Sequence, residues 1–441
     1  MSPHKIRAIV GTTLCLCLAA AVLQSQDTRQ PSRGVTDPGV ITTGQAITPA
    51  GVQSVFEGRV HGVTFGATDD ELWVLTGRNR ASRPEVYRLD WLENRVRGRW
   101  ELDGTAALQG LVFDRVRRSP LVGLTVPARA AGNREGGAVQ LLRYDGTSFV
   151  PLASDLGRHL AGAPALSRTT AGGRAVVPLV FDNALAIVDA ETGRVTGRVK
   201  TGGVAPFGAV IARDGRAAWV SNWGGRWPND GDVTLPTGLA SDADRVVVDE
   251  RGIASTGTIA RIDLDAQKVT HTINVGLHPT AIAWDETRHR LFVANANSDS
   301  VSVIDTATHR VGSTIPLEPF GLKLKGIAPT ALAVTPDGAT LFVALGGLNA
   351  VAVLDVATQT IRGLVPTAWY PNHLVLNGDG TRLAIATLLG VGSGSRDQPQ
   401  QRFVDPLRHR EGDDPRIEGI VDVPRPRARA KLGQQVLVVD E

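Results

Sequence analysis

Apolar and polar positions alternate in short runs along most of the chain, and the runs recur in a fixed order. HPTAIAWDETRHRLFVANANSDSVSVID (His278 to Asp305) and APTALAVTPDGATLFVALGGLNAVAVLD (Ala328 to Asp355) align without a gap. Each has an apolar run after a proline, an Asp/Gly turn, a second apolar run, a Gly/Asn/Ser turn, and an alternating run that ends in Asp. Period-two alternation bounded by turn residues predicts three strands in a meander. A weaker run follows, as in VTHTINV (Val269 to Val275) and VGSTIPL (Val311 to Leu317), and supplies a fourth.

Four strands in about 40 to 50 residues make one propeller blade. The same landmarks place unit starts near His61, Gln109, Ala163, Ala205, His278, Ala328 and Tyr370. The expected fold class is therefore all-β, a seven-bladed β-propeller of four-stranded antiparallel blades. Such a sheet has two apolar faces that it cannot bury alone, and packing blades around an axis covers both. The last blade is expected to take its outer strand from the segment near Gln53 to Arg59, which would join the two ends of the ring. Two insertions interrupt the repeat. One follows AAWVSNWGGRWPNDGD (Ala217 to Asp232), and the other separates LAIATLLG (Leu383 to Gly390) from EGIVDVP (Glu418 to Pro424).

The ends of the chain read differently. His4, Lys5 and Arg7 precede an uncharged apolar run from Ile9 to Leu23, the shape of a secretory signal, so residues 1–25 are expected to be removed on export. Both cysteines, Cys15 and Cys17, lie in that run. The mature chain would hold no thiol, in keeping with a periplasmic or secreted protein with no stable membrane span after processing. Residues 26–42 read as a flexible leader, 43–424 as the propeller, and 425–441 as a basic tail.

Composition adds mainly exclusions. The formal net charge is only +3 over 441 residues, so no overall field favours nucleic acid as a partner. Arg425, Arg427, Arg429 and Lys431 alternate with Pro and Ala, a pattern of a solvated linker.

The strand–turn–strand LFVANANSDSVSVIDTATHRV (Leu291 to Val311) resembles the defining element of the YVTN-repeat (YncE-like) β-propellers. The resemblance extends to GQAITPAG (Gly44 to Gly51), VSNWGG (Val220 to Gly225), RGIASTGTIARID (Arg251 to Asp263), NVGLHPTAIA (Asn274 to Ala283) and VPTAWYPN (Val365 to Asn372). Together these look like the propeller module that bacterial relatives carry ahead of an alkaline-phosphatase-superfamily phosphoesterase domain. Past Pro424 nothing here resembles that hydrolase, so its activity is not carried over. A separate phosphoesterase is one protein partner the resemblance implies.

The residues themselves suggest no catalytic group, no metal site and no cofactor. The histidines are scattered, and neither HExxH nor GxSxG occurs. Asp189, Asp263, Asp305 and Asp355 close third strands, where Asp caps a turn. NDGD (Asn229 to Asp232) lacks the ligand spacing of a calcium loop, and LGGLN (Leu345 to Asn349) lacks a helix entry for phosphate.

Two sets of binding residues remain. His61, Gln109, His278 and Tyr370 align at innermost-strand starts, where they are expected to ring the channel and hold a small polar ligand or a metal. The alternative is that they are solvated or pack against the following proline. Trp223, Arg226 and Trp227 are candidate interface anchors in the fourth-unit insertion, unless the Trp folds over the glycines of its own loop. The function expected is a non-catalytic binding or scaffold propeller. The rivals are a channel-site enzyme of lactonase or quinoprotein-like type, and a binder of nucleic acid or envelope polymer.

Overall fold

The computed structural model describes residues 30–33, 48–77, 83–127, 137–169, 173–237, 243–390 and 433–440. The protein is an all-β propeller of four-stranded antiparallel blades. Six sheets are each wound from one stretch of chain, in the order expected from the repeat. The first blade contains Arg59–Phe65, Glu71–Gly77, Glu85–Asp90 and Arg95–Glu101, and the second Thr105–Asp114, Ser119–Pro127, Gly137–Tyr144 and Phe149–Ala153. The third opens on the very short Ala165–Leu166 and continues through Arg174–Leu179, Ala184–Asp189 and Val195–Lys200. Gly203–Ile211, Ala217–Arg226, Thr258–Asp263 and Lys268–Asn274 form the fourth. The fifth and sixth begin at Pro279–Asp285 and Pro329–Val334 and end at Arg310–Pro316 and Thr360–Pro366.

A further four-stranded sheet is assembled from both ends of the chain. Trp369–Leu376 pairs with Arg382–Gly390, that strand with Gly433–Asp440, and Gly433–Asp440 with Val52–Glu57. The outer strand thus comes from the N-terminal side, where the sequence placed it. The third strand does not come from Glu418 to Pro424, which lies outside the described residues. GQQVLVVD supplies it, from within the segment read as a basic tail. Residues 30–33, read as part of a flexible leader, are tied down: Ser32 bridges Val55, and the Val96 N–H donates to Gln30 Oε1 at 2.6 Å. The signal-like segment, both cysteines and the four tail cations lie outside the described residues.

Apolar clusters show how the sheets stand side by side. One cluster joins the first and second blades through Trp73, Leu75, Leu111 and Val122. Others join second to third, third to fourth, fourth to fifth and fifth to sixth. Ala331 and Val351 of the sixth blade pack with Leu374 and Ile385 of the composite sheet, whose Phe56, Ala384 and Ala386 pack in turn with Val63 and Leu72 of the first. Phe292, Val293, Val301 and Ile304, expected to be mostly buried in strands, are fully buried, whereas Val303, expected with them, is only partly so. Small and β-branched residues suit this close face-to-face packing.

Hydrogen bonds stitch the inner strands together across blades. Ser221 Oγ donates to Thr280 O at 2.6 Å, Thr280 Oγ1 to Pro329 O at 3.1 Å, and Thr330 Oγ1 to Pro371 O at 2.6 Å. Asn372 Nδ2 then donates to His61 O at 3.3 Å. The Pro-Thr pair that recurs in the sequence therefore works at a seam, one blade reaching the carbonyl of the next.

Candidate functional site

Five of the seven aligned strand starts share a left-handed backbone: Gln109 (φ 55), Ala205 (φ 55), His278 (φ 52), Ala328 (φ 50) and Tyr370 (φ 62). Ladder registers shift close to these positions, as a bulge requires. Three of them are held from the preceding blade. Asn183 Oδ1 accepts the Ala205 N–H at 2.7 Å, Asp299 Oδ1 that of Ala328 at 3.0 Å, and Asn349 Oδ1 that of Tyr370 at 3.0 Å. The alignment thus reflects a backbone device that starts each inner strand, and the side chain at that position is free to vary.

Where those side chains go differs from blade to blade. Gln109 crosses the channel, and its Nε2 donates to Thr330 O at 3.0 Å and Asn372 O at 2.8 Å. His61 Nδ1 lies 3.1 Å from Ala106 O, and its ring covers Gly77, where any side chain would collide. Burial lowers the His61 pKa. The Tyr370 ring rests against Gly346, and burial raises the pKa of its phenol. Of the four, Gln109 carries the most visible structural load. Gln109→Ala is expected to cost about 1–3 kcal/mol, two half-buried hydrogen bonds being lost, and urea melts of the two proteins would measure it.

The structure brings His278 together with Trp223, residues that the sequence assigned to different sites. Trp223 sits near the end of the strand Ala217–Arg226, half-buried, not in a loop. Its indole stacks on Phe207 (centroids 4.0 Å, 18°) and on His278 (5.1 Å, 15°). Beside this stack lies a cleft of about 280 Å³ walled by Val180, Phe181, Val204 and Val246, with Trp223 and His278. The fourth-blade insertion forms one wall: Thr234–Pro236 pairs with Arg245–Val247 as a small hairpin. Asn183 Nδ2 donates to Asp244 Oδ2 at 2.5 Å at the polar edge. The Trp223 indole nitrogen is buried without a partner. Burial lowers the His278 pKa, so the imidazole is neutral at pH 7 and the cleft carries little charge on its aromatic side.

The other anchors separate from this cleft. Arg226 is committed to Asp232, at 2.7 and 3.0 Å from its two oxygens. Trp227 is exposed at 42%. Third-strand carboxylates cap turns as expected. Asp189 accepts from Thr192 and Glu191, Asp263 from Ala266 and Asp265, Asp305 from Thr308 and Ala307, and Asp355 from Thr358. These backbone N–H groups hold Asp189, Asp263 and Asp305 below the usual carboxylate range. LGGLN is a 3₁₀ turn, Gly346–Leu348, followed by a left-handed Asn349.

Sequence reasoning missed His373. In the repeat its position is taken by Ala281 and Ala331, so an apolar wall residue was the natural expectation. His373 is half-buried, and its Nδ1 accepts the Val63 N–H at 3.1 Å, across the seam between the composite sheet and the first blade. Burial lowers its pKa to about 4. Among the described residues, no helix is long and apolar enough to cross a membrane, and no cluster of three or more His, Cys, Asp or Glu is placed to hold a metal ion. No known protein-family profile matches the chain, and no curated protein matches it significantly.

Proposed function

We propose that this chain is an exported, non-catalytic binding module, a seven-bladed propeller of the YVTN-repeat kind in which the composite sheet is the seventh blade. The cluster order supports that count, since the composite sheet packs on both the sixth and the first blades. The ligand surface proposed is the cleft beside Trp223, and the observation that carries it is the Phe207–Trp223–His278 stack.

A flat aromatic platform beside an apolar cavity of this size suits one or two planar rings rather than a chain or a polymer. The third-strand carboxylates, committed to turn amides, favour binding over general acid–base work at those positions.

Benzamide is a suitable probe, being planar and small enough for the cleft. Calorimetric titration is expected to show saturable binding in the millimolar range, of the order of 4 kcal/mol. Trp223→Ala should weaken it at least tenfold while leaving the far-UV spectrum unchanged. His278 takes up a proton only below its ordinary value of 6.5. Affinity should therefore be flat above pH 6.5 and fall as pH drops below it, because the charged imidazole draws water to the stack. Equal binding by Trp223→Ala would remove the cleft from consideration.

A further inference from the structure

The far ends of the inner strands enclose a second cavity of about 320 Å³, bounded by residues from every sheet around the axis. Gln109, hydrogen-bonded across the channel, lies on its wall. Arg115 and Arg168, just past the inner strands of the second and third blades, also line the cavity, and no Asp or Glu does. Arg115 Nη1 lies 3.6 Å from where a side chain at Gly378, in the turn that follows Trp369–Leu376, would begin. Neither guanidinium has a carboxylate within ion-pair distance among the described residues, whereas their neighbours do. Arg213 has Glu286 at 3.6 Å and Arg117 has Asp114 at 3.1 Å.

We propose that this cavity is a binding site for a small oxyanion, carboxylate or phosphate, held between the guanidiniums of Arg115 and Arg168. Two planar forks from adjacent blades match the paired oxygens of either group. Both arginines are exposed to solvent, so their attraction for an anion comes from two neighbouring like charges and is screened by salt. Burial, followed by repulsion from Arg213 and Arg115, lowers the Arg168 pKa, and attraction to the Glu286 carboxylate offsets only part of this. The site is distinct from the Trp223 cleft and does not depend on it.

The test is calorimetric titration of the full chain with inorganic phosphate and, separately, with citrate, each against sodium chloride at matched ionic strength. One-to-one binding of either anion that chloride does not reproduce is expected, weakened at least tenfold in R115Q/R168Q. Preference for phosphate would point to phosphorylated ligands and preference for citrate to carboxylates, and either supports the site. Absence of saturable heat with both anions up to about 10 mM, weaker than about 3 kcal/mol, would overturn it. Unchanged affinity in R115Q/R168Q would overturn it equally. Should the double variant fail to fold, R115K and R168K keep the charge but lose the fork: weakened binding in both supports the site, and unchanged binding in both overturns it.

Discussion

A chain ended at residue 432 should lose its cooperative unfolding transition. Among the described residues, Gly433–Asp440 is the only strand linking Arg382–Gly390 to Val52–Glu57 in the composite sheet, registered from Val52 opposite Val438 to Glu57 opposite Gly433. Without it both neighbours present open edges, which in a propeller invite pairing with other chains. The outer strand would also come loose, and with it Phe56, which is 4% exposed and packed against Tyr87 at 5.0 Å. Losing a buried Phe alone costs about 3–5 kcal/mol, a large share of the 5–15 kcal/mol that ordinarily separates folded from unfolded chains. Calorimetry should show a broad or absent transition and light scattering should show aggregates. A synthetic peptide of residues 433–440 added in trans should recover part of the melt. A truncated chain that unfolds sharply within about 2 °C of the full one would show that the sheet contributes little to the ring.

The second large effect is acid sensitivity centred on His373. Its Nδ1 accepts the Val63 N–H, so the ring must be neutral with its proton on Nε2. Protonation would convert the acceptor into a donor facing a donor and bury a charge. The sign follows from linkage. The folded pKa, about 4, lies below the unfolded 6.5, so the unfolded chain binds the proton first. Stability is then complete above pH 6.5, falls as pH drops from 6.5 towards 4, and loses no more below that from this group. A depression of that size corresponds to about 3 kcal/mol. His61 and His278, also lowered by burial, act in the same direction. Urea unfolding at pH values from 7.5 to about 4 should show this slope in the parent protein and a shallower one in His373→Leu. At pH 7 the variant should be less stable by about 1–3 kcal/mol, because the Val63 N–H loses its acceptor. An equal slope in both would assign the acid sensitivity to other groups.

The repeat was legible because strand alternation and turn chemistry are local properties. LFVAN and SVSVID declare themselves as buried strands wherever they stand. The composite sheet was half legible. Its outer strand was foreseen because a ring must close, yet QVLVVD, a short apolar run ending in Asp like those of the blades, was hidden behind a basic, proline-containing stretch that reads as a linker. Chain order gives no hint that the pairing skips over that stretch.

The binding residues were legible as positions but not as chemistry. His61, Gln109, His278 and Tyr370 align because the backbone turns left-handed or bulges there, and this shared geometry leaves each side chain to a different neighbour. Gln109 spans the channel, His61 covers Gly77, and only His278 enters the aromatic cleft. Trp223 and Phe207 lie on neighbouring strands of one blade, and His278 joins them from the connection to the next. No spacing in the sequence announces that meeting. His373 escaped notice because its fellows in the repeat are alanines and its partner is a backbone amide at the other end of the chain.

The most direct test is to watch the tryptophans themselves. The chain has eight, so a ¹⁵N-indole spectrum contains few resonances, and Trp223→Phe identifies the one that matters. On titration with benzamide the Trp223 signal should move furthest and saturably, since a ring seated in the cleft lies beside that indole. The buried indoles of Trp91 and Trp219, packed elsewhere in the blades, should stay in place. A Trp223 resonance that does not shift, or a saturable shift confined to the other tryptophans, would contradict the assignment of this cleft as the ligand surface.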